Sequence, residues 1–429
     1  MKNDLSLKGR NELSKSPKGA LEIASQFTQV LENEPELQNP WVTWKQNPEN
    51  LANEIFKKSN QVLAGLVIGV KDVISTQEFP TGMGASHAWT NRNMGFDSRV
   101  VAIARELGAV IAGKTKTSEF AVHKETDVIN PKFPGYTAGT SSAGSAAAVA
   151  NGTIDLALAT QTAGSIARPA SYCGVIGFKP TFGDFPRTGV LKTTDDFDTV
   201  GVIGREPTLI RDFYLATRLS GEDHPMLQVR RRSNEFTKLV MLVGGEFDSS
   251  NKDILNLAQD FYESMLLPFG LEQLDPAEYS EFSNIREVHE TIYRRDLAYY
   301  FKSEIDTGMV STDFVNFIDL KKVPTVREYQ QAKFKLNSWK NYCQTRFQNT
   351  LVVTLAASTS APLKDVGYEK DLNVAITAAG FPQLSIPAFL DSERRNVNIS
   401  LSGTKGCDEE VLNVGIEIFG KSDSYFKES

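Results

Sequence analysis

A chain of 429 residues with 41% hydrophobic and 23% charged residues has the makeup of a folded protein with a sizeable core, and this excludes an intrinsically disordered one. Its formal net charge of −7 argues against nucleic acid as an electrostatic partner, because neutralising phosphates needs a basic excess. Three scattered cysteines, Cys173, Cys343 and Cys407, lack the spacing of a zinc site or disulfide framework, and no apolar run is long enough for a membrane span.

The N-terminus mixes Lys2, Lys8 and Arg10 with Asp4 and Glu12 and shows no apolar secretory core, so the expected setting is cytoplasmic. Residues 1–19 read as a polar, frayed segment ahead of a domain over 20–429. Ile23, Phe27, Val30 and Leu31 share one helical face. Leu66 to Val70 reads as a buried strand ending at Lys71. Val100 to Leu107 reads as a helix, stopped by Gly108 and followed by a strand from Ala109 to Ala112. That alternation predicts α/β layers with buried, largely parallel strands.

Residues 135–183 are dense in Gly, Ala, Ser and Thr and nearly free of charge. Ser142 to Ala150 is helix-prone, while Ile154 to Ala159 and Val175 to Phe178 read as strands. Further on, Leu239 to Val243 is a strand, Ile254, Leu257, Ala258 and Phe261 mark a helix, and Ile285, Val288 and Ile292 begin another. The triplet Arg230-Arg231-Arg232 reads as a solvated loop. Thr325 and Glu328 have the spacing of a capping box before a long helix through Trp339. Leu351 to Leu355 and Leu384 to Ile386 are strands returning to the core.

Chemistry needs a nucleophile and a base, and the usual base is histidine. His87, His123, His224 and His289 lie in no recognisable Ser/His/Asp context, and no GxSxG elbow surrounds a serine. Lysine is the alternative. Lys71 closes an apolar strand, where burial lowers its pKa toward the neutral form a base requires. Taken alone, a lysine there reads as a snorkelling or salt-bridged residue rather than as a base.

Three segments read together change that balance. Gly139-Thr140-Ser141-Ser142-Ala143-Gly144-Ser145 resembles the GGSSGGS core of the amidase-signature family. Thr162-Ala163-Gly164-Ser165 resembles its TGGS nucleophile turn, followed by Arg168-Pro169-Ala170. Cys173-Gly174-Val175-Ile176-Gly177-Phe178-Lys179-Pro180-Thr181 is similar to its CGxxGxKPT, and Gly69-Val70-Lys71-Asp72 matches its lysine strand. The similarity runs from about residue 20 to 415 and is strongest over 60–205.

The resemblance implies one α/β domain, a large, mostly parallel mixed sheet covered by helices on both faces, with residues 210–350 lining a substrate funnel. It implies a Ser–cisSer–Lys triad with Ser165 as nucleophile, Ser141 as a bridging serine on a cis peptide bond, and Lys71 as base. Backbone N–H groups of Thr162, Ala163, Gly164 and Ser165 would form the oxyanion hole. Gly139 and Ser142 would support the bridge. No metal or organic cofactor is needed. The expected partner is a small-molecule amide, without membrane or nucleic acid, and a homodimer is compatible with the sequence. Arg168 is displaced from the family's usual arginine position and reads as a structural ion pair or a substrate contact. The rival readings are the A subunit of a glutamyl-tRNA amidotransferase, which would involve tRNA, and a non-catalytic binding protein of the same fold.

Overall fold

Among the described residues eleven strands form one sheet: β1 (Trp41–Trp44), β2 (Val67–Lys71), β3 (Val110–Thr115), β4 (Leu156–Gln161), β5 (Ile176–Lys179), β6 (Thr199–Gly204), β7 (Lys238–Leu242), β8 (Gly270–Leu271), β9 (Thr350–Leu355), β10 (Gln383–Leu390) and β11 (Asn396–Ser402). Their spatial order is β1-β3-β2-β4-β6-β5-β10-β11-β9-β7-β8. This computed structural model describes residues 6–85, 94–122, 125–219, 236–242, 252–266, 270–271, 276–367 and 371–428. His87, His123, His224 and the triplet 230–232 lie outside them.

The fold is a single large α/β domain. The sheet is mixed, with its parallel pairing gathered in two places, β3-β2-β4 and β9-β7-β8. Antiparallel ladders join these regions through β4-β6-β5-β10-β11-β9. Helix–strand alternation on either side of the motif segments foretells the parallel parts. The antiparallel middle arises because β6 and β11 return to the sheet without a crossover helix.

Alternating side chains show that both faces are covered. In β4, Leu156 and Leu158 enter a core with Val100, Ile210 and Val411, whereas Ala157 and Ala159 face one built around Phe27, Ile55 and Ala147. The small residues of β4 let the helix Ala143–Ala150, itself mostly alanine, lie close to the sheet.

From Ser6 onward the N-terminal segment is not frayed. Ser6 accepts the Gly9 N–H and caps a helix Leu7–Ser14. Arg10 of that helix is buried and paired with Asp155, which also meets Arg205. The segment is polar in composition, and while Lys8, Glu12, Lys15 and Lys18 face solvent, the charge of Arg10 serves docking. Among the described residues no helix is long and apolar enough to cross a membrane.

Candidate active site

Because β2 and β4 are parallel neighbours, their C-terminal ends, Lys71 and Gln161, emerge at the same edge of the sheet. Loops at such edges carry ligand sites in many α/β folds. Here the segment before the helix Ala143–Ala150 brings in Ser141 and Ser142, and the turn after β4 brings in Ser165.

Lys71 is fully buried. Its Nζ lies 2.5 Å from Ser141 Oγ, 3.0 Å from Ser142 Oγ and 2.8 Å from Thr160 Oγ1. Burial drives its pKa well below the ordinary lysine value of 10.5, and the charge of Asp198 opposes this only in part. A neutral amine has two N–H donors and one lone pair, so one of the three hydroxyls must donate to it. Ser142 donates instead to Thr160 O at 3.2 Å, which leaves Thr160 and the closer Ser141 for that role, and of these two Ser141 is the one that lines the cavity beside Ser165.

The peptide bond expected to be cis at Ser141 is not. Among the described residues every peptide bond is trans, and Ser141 instead has φ of +54°. The Ser142 N–H reaches back 2.9 Å to Thr140 O, a three-residue turn centred on Ser141, and it is this left-handed backbone that presents the hydroxyl to Lys71. The N-cap of the following helix is Ser142, without a side-chain capping bond. Ser142 contacts the Lys71 amine rather than Ser141. Gly139, φ +94°, has Pro169 Cα 2.8 Å from where a Cβ would stand, so its support is to let the two motif segments touch.

The turn carrying Ser165 is held on every side. Gln161 Oε1 accepts the N–H groups of Ile166 at 2.9 Å and Ala167 at 3.1 Å, while its Nε2 donates to Thr377 Oγ1 and Gln383 Oε1. Thr162 Oγ1 donates to Asp198 Oδ1 at 2.6 Å. Thr377 Oγ1 donates to Ala163 O at 2.7 Å, and His289 Nε2 meets Thr162 O at 2.9 Å. Gly164 leaves no room for a side chain, since a Cβ would fall 2.8 Å from Arg168 Nη2 and 2.9 Å from Asn373 Nδ2. Among the described residues no protein acceptor takes the N–H of Ala163, Gly164 or Ser165.

A cavity of about 390 Å³ opens here, with Ser141, Thr162, Ala163 and Ser165 in its wall. Arg286, His289, Glu290 and Tyr293 from the helix Pro276–Tyr300 and Phe317 from Thr312–Ile318 close it. A larger groove of about 1070 Å³, between that long helix and Val326–Arg346, contains none of the expected site residues. Arg168 is paired with Asp371, in keeping with the ion-pair reading, and Arg286 donates to the Asp371 carbonyl at 2.6 Å. Among the described residues no group of three His, Cys, Asp or Glu side chains could hold a metal.

The sequence connects His289 to no site, yet the fold brings it to this one. It is buried, stacked on Phe197 with ring centroids 4.2 Å apart, and burial pushes its pKa down to about 4. Thr160, Thr377 and Asp371 likewise escape a reading of the sequence. Thr160 sits one residue before Gln161 and is within reach of inspection; the others come from 127 to 216 residues away from their partners, and no local pattern announces them.

An amidase family profile matches residues 31–238. The glutamyl-tRNA(Gln) amidotransferase A subunit of Methanothermobacter thermautotrophicus is 43% identical over 155 residues, 35% of this chain and 34% of that protein. Its counterpart from Natranaerobius thermophilus is 31% identical over 275 residues, 59% of this chain and 52% of that protein. The matched segments thus span from a third to about half of these curated relatives. Whole-chain likeness appears among solved structures. A crystal structure of an amidase aligns with TM-score 0.81 at 21% identity, covering 97% of this chain and 100% of that one. An inhibitor-bound vestigial complex tied to the origins of an s-triazine catabolic enzyme aligns at 0.84, with 20% identity and 99% coverage of both chains. At such identities these structures speak for the fold alone.

Proposed function

We propose that this chain, whose residues 31–238 match the amidase family profile, hydrolyses a carbon–nitrogen amide bond through an acyl-enzyme on Ser165. The observation that carries this reading is the Lys71 amine, buried, biased toward its neutral form, and 2.5 Å from Ser141 Oγ. Ser165 attacks the amide carbonyl carbon. Its proton passes to Ser141, and the Ser141 proton passes to Lys71. The carbonyl oxygen, now an oxyanion, takes the N–H groups of the 162–165 turn. Collapse breaks the carbon–nitrogen bond, and the departing amine takes the proton back through Ser141. Water, deprotonated by the same relay, then releases the carboxylic acid and frees Ser165. The cavity volume suits a small or medium acyl group. Arg168, Arg286, Glu290 and Asp371 all contribute to its wall, Arg168 pairing with the Asp371 carboxylate and Arg286 with its main-chain carbonyl, which favours an acyl portion with a polar end.

Intact-mass spectrometry after a fluorophosphonate tests the nucleophile. One adduct on Ser165 is expected, absent in Ser165→Ala, which also loses amide turnover. An adduct elsewhere with Ser165→Ala still active overturns the assignment. A second reading, the glutaminase component of an amidotransferase, is favoured by the names of the relatives that match the motif-bearing segment. Turnover of simple amides by the isolated chain argues for the free hydrolase; turnover of glutamine that appears only with partner proteins argues for the other. Three buried cysteines, none of them in a disulfide, support a cytoplasmic setting.

A further inference from the structure

We propose that His289 and Thr377 are positioning residues that aim the two amide N–H groups receiving the oxyanion, each by clamping the carbonyl of the same peptide unit. The inference rests on the acyl-enzyme reading above and adds to it the parts that pre-organise the oxyanion site. A peptide unit is planar and trans, so its C=O and the following N–H point in opposite directions and cannot turn independently. His289 Nε2 holds Thr162 O at 2.9 Å, which fixes the direction of the Ala163 N–H. Thr377 Oγ1 holds Ala163 O at 2.7 Å, which fixes the Gly164 N–H. Neither N–H meets a protein acceptor among the described residues, and Thr162, Ala163 and Ser165 line the cavity. Two successive donors are therefore pointed and left open.

Both clamps are themselves constrained. A carbonyl oxygen only accepts, so His289 carries its proton on Nε2. The ring is fixed by its stack on Phe197 at 4.2 Å and by Tyr293 at 5.7 Å. The Thr377 hydroxyl accepts from Gln161 Nε2 at 3.0 Å, and so its single hydrogen is committed to Ala163 O. Donors that are already oriented need no rearrangement when charge appears, which is why their loss falls on the chemical step rather than on substrate capture.

The test uses paired variants of the full chain. His289→Phe keeps a stacking ring and removes the donor, whereas His289→Gln keeps a donor near the Nε2 position. Thr377→Val and Thr377→Ser form the same contrast. With a small amide substrate, the Phe and Val variants should lose about tenfold or more in kcat with KM within about twofold, and Gln and Ser should recover most of the loss. Unchanged kcat in the Phe and Val variants, or equal losses in all four, overturns the clamp, even where Ser165 still labels. If the wild type neither labels at Ser165 nor turns over amides, the acyl-enzyme reading has failed instead. The clamp is then judged by nitrogen-15 histidine spectra, with His289→Gln identifying the signal. A neutral, Nε2-protonated ring is expected, and an Nδ1-protonated ring overturns the proposal whatever the activity.

Discussion

Arg168 and Asp371 form an ion pair beneath the nucleophile turn, with Nε and Nη2 2.8 and 2.7 Å from the same Oδ2 and both side chains nearly excluded from solvent. Removing the cation strands a buried carboxylate whose remaining bond in the turn is to the Asn373 N–H. Arg168→Met should therefore cost about 3–5 kcal/mol, and adding Asp371→Leu should recover part of it. Chemical denaturation of the two single variants and the double variant checks this. Additive losses in the double variant would contradict the pairing.

Ser141 combines a left-handed backbone with a reactive contact, and two substitutions separate these. Ser141→Ala and Ser141→Gly should both lower turnover by about 10²-fold or more, because each removes the proton bridge. Their stabilities should differ. Glycine accepts φ of +54° without steric cost, so the glycine variant should be the more stable by about 1 kcal/mol. Equal activity loss with unequal melting temperature is the expected pattern; retained activity in either variant would remove Ser141 from the relay.

Lys71 should leave a signature in both activity and stability. The relay needs a neutral amine, so kcat should rise with pH through the depressed folded-state pKa and vanish in Lys71→Met. The unfolded chain, with its lysine near 10.5, binds the proton more readily than the folded protein. Between the folded value and 10.5 the unfolded state thus holds more protons, and stability rises with pH across that window. The stability of the wild type relative to Lys71→Met should grow as pH increases toward 10.5, measured by denaturation at several pH values. A difference independent of pH would show that the amine titrates normally.

Gln161 has both ends of its side-chain amide in use. Gln161→Leu would orphan the N–H groups of Ile166 and Ala167 and break the links to Thr377 and Gln383. A loss of about 2–4 kcal/mol is expected from two buried donors left unpaired, together with a lower kcat. A variant with wild-type melting and kinetics would show that the turn is held adequately by its other bonds.

Much of this arrangement is legible in the chain, because strand ends and small-residue turns are local signals. The apolar run before Lys71 places it at the end of a strand, which is β2. The spacing of Thr325 and Glu328 foretells the capping box that starts Val326–Arg346. What cannot be read is the part set by tertiary contact. His289 looks like any surface helix residue until Phe197 and Thr162 are brought beside it. The motif around Ser141 announces unusual geometry but not which bond carries it, since a glycine-rich neighbourhood permits either a cis peptide or a positive φ. The helix Leu7–Ser14 is hidden in the sequence because Arg10 reads as solvated until Asp155 appears opposite it.

The joining of β5 to β10 through Gln383 and Lys179 bears on synthesis of the protein. A strand made early in translation must wait for some two hundred further residues before its neighbour emerges from the ribosome. Until then β5 and the nucleophile turn lack Gln383, Asn373 and Thr377, and one edge of the nascent sheet is unpaired. Such an edge is a site for mispairing between chains, and a truncated transcript ending within the long helices would yield the reactive serines on a scaffold unable to hold them.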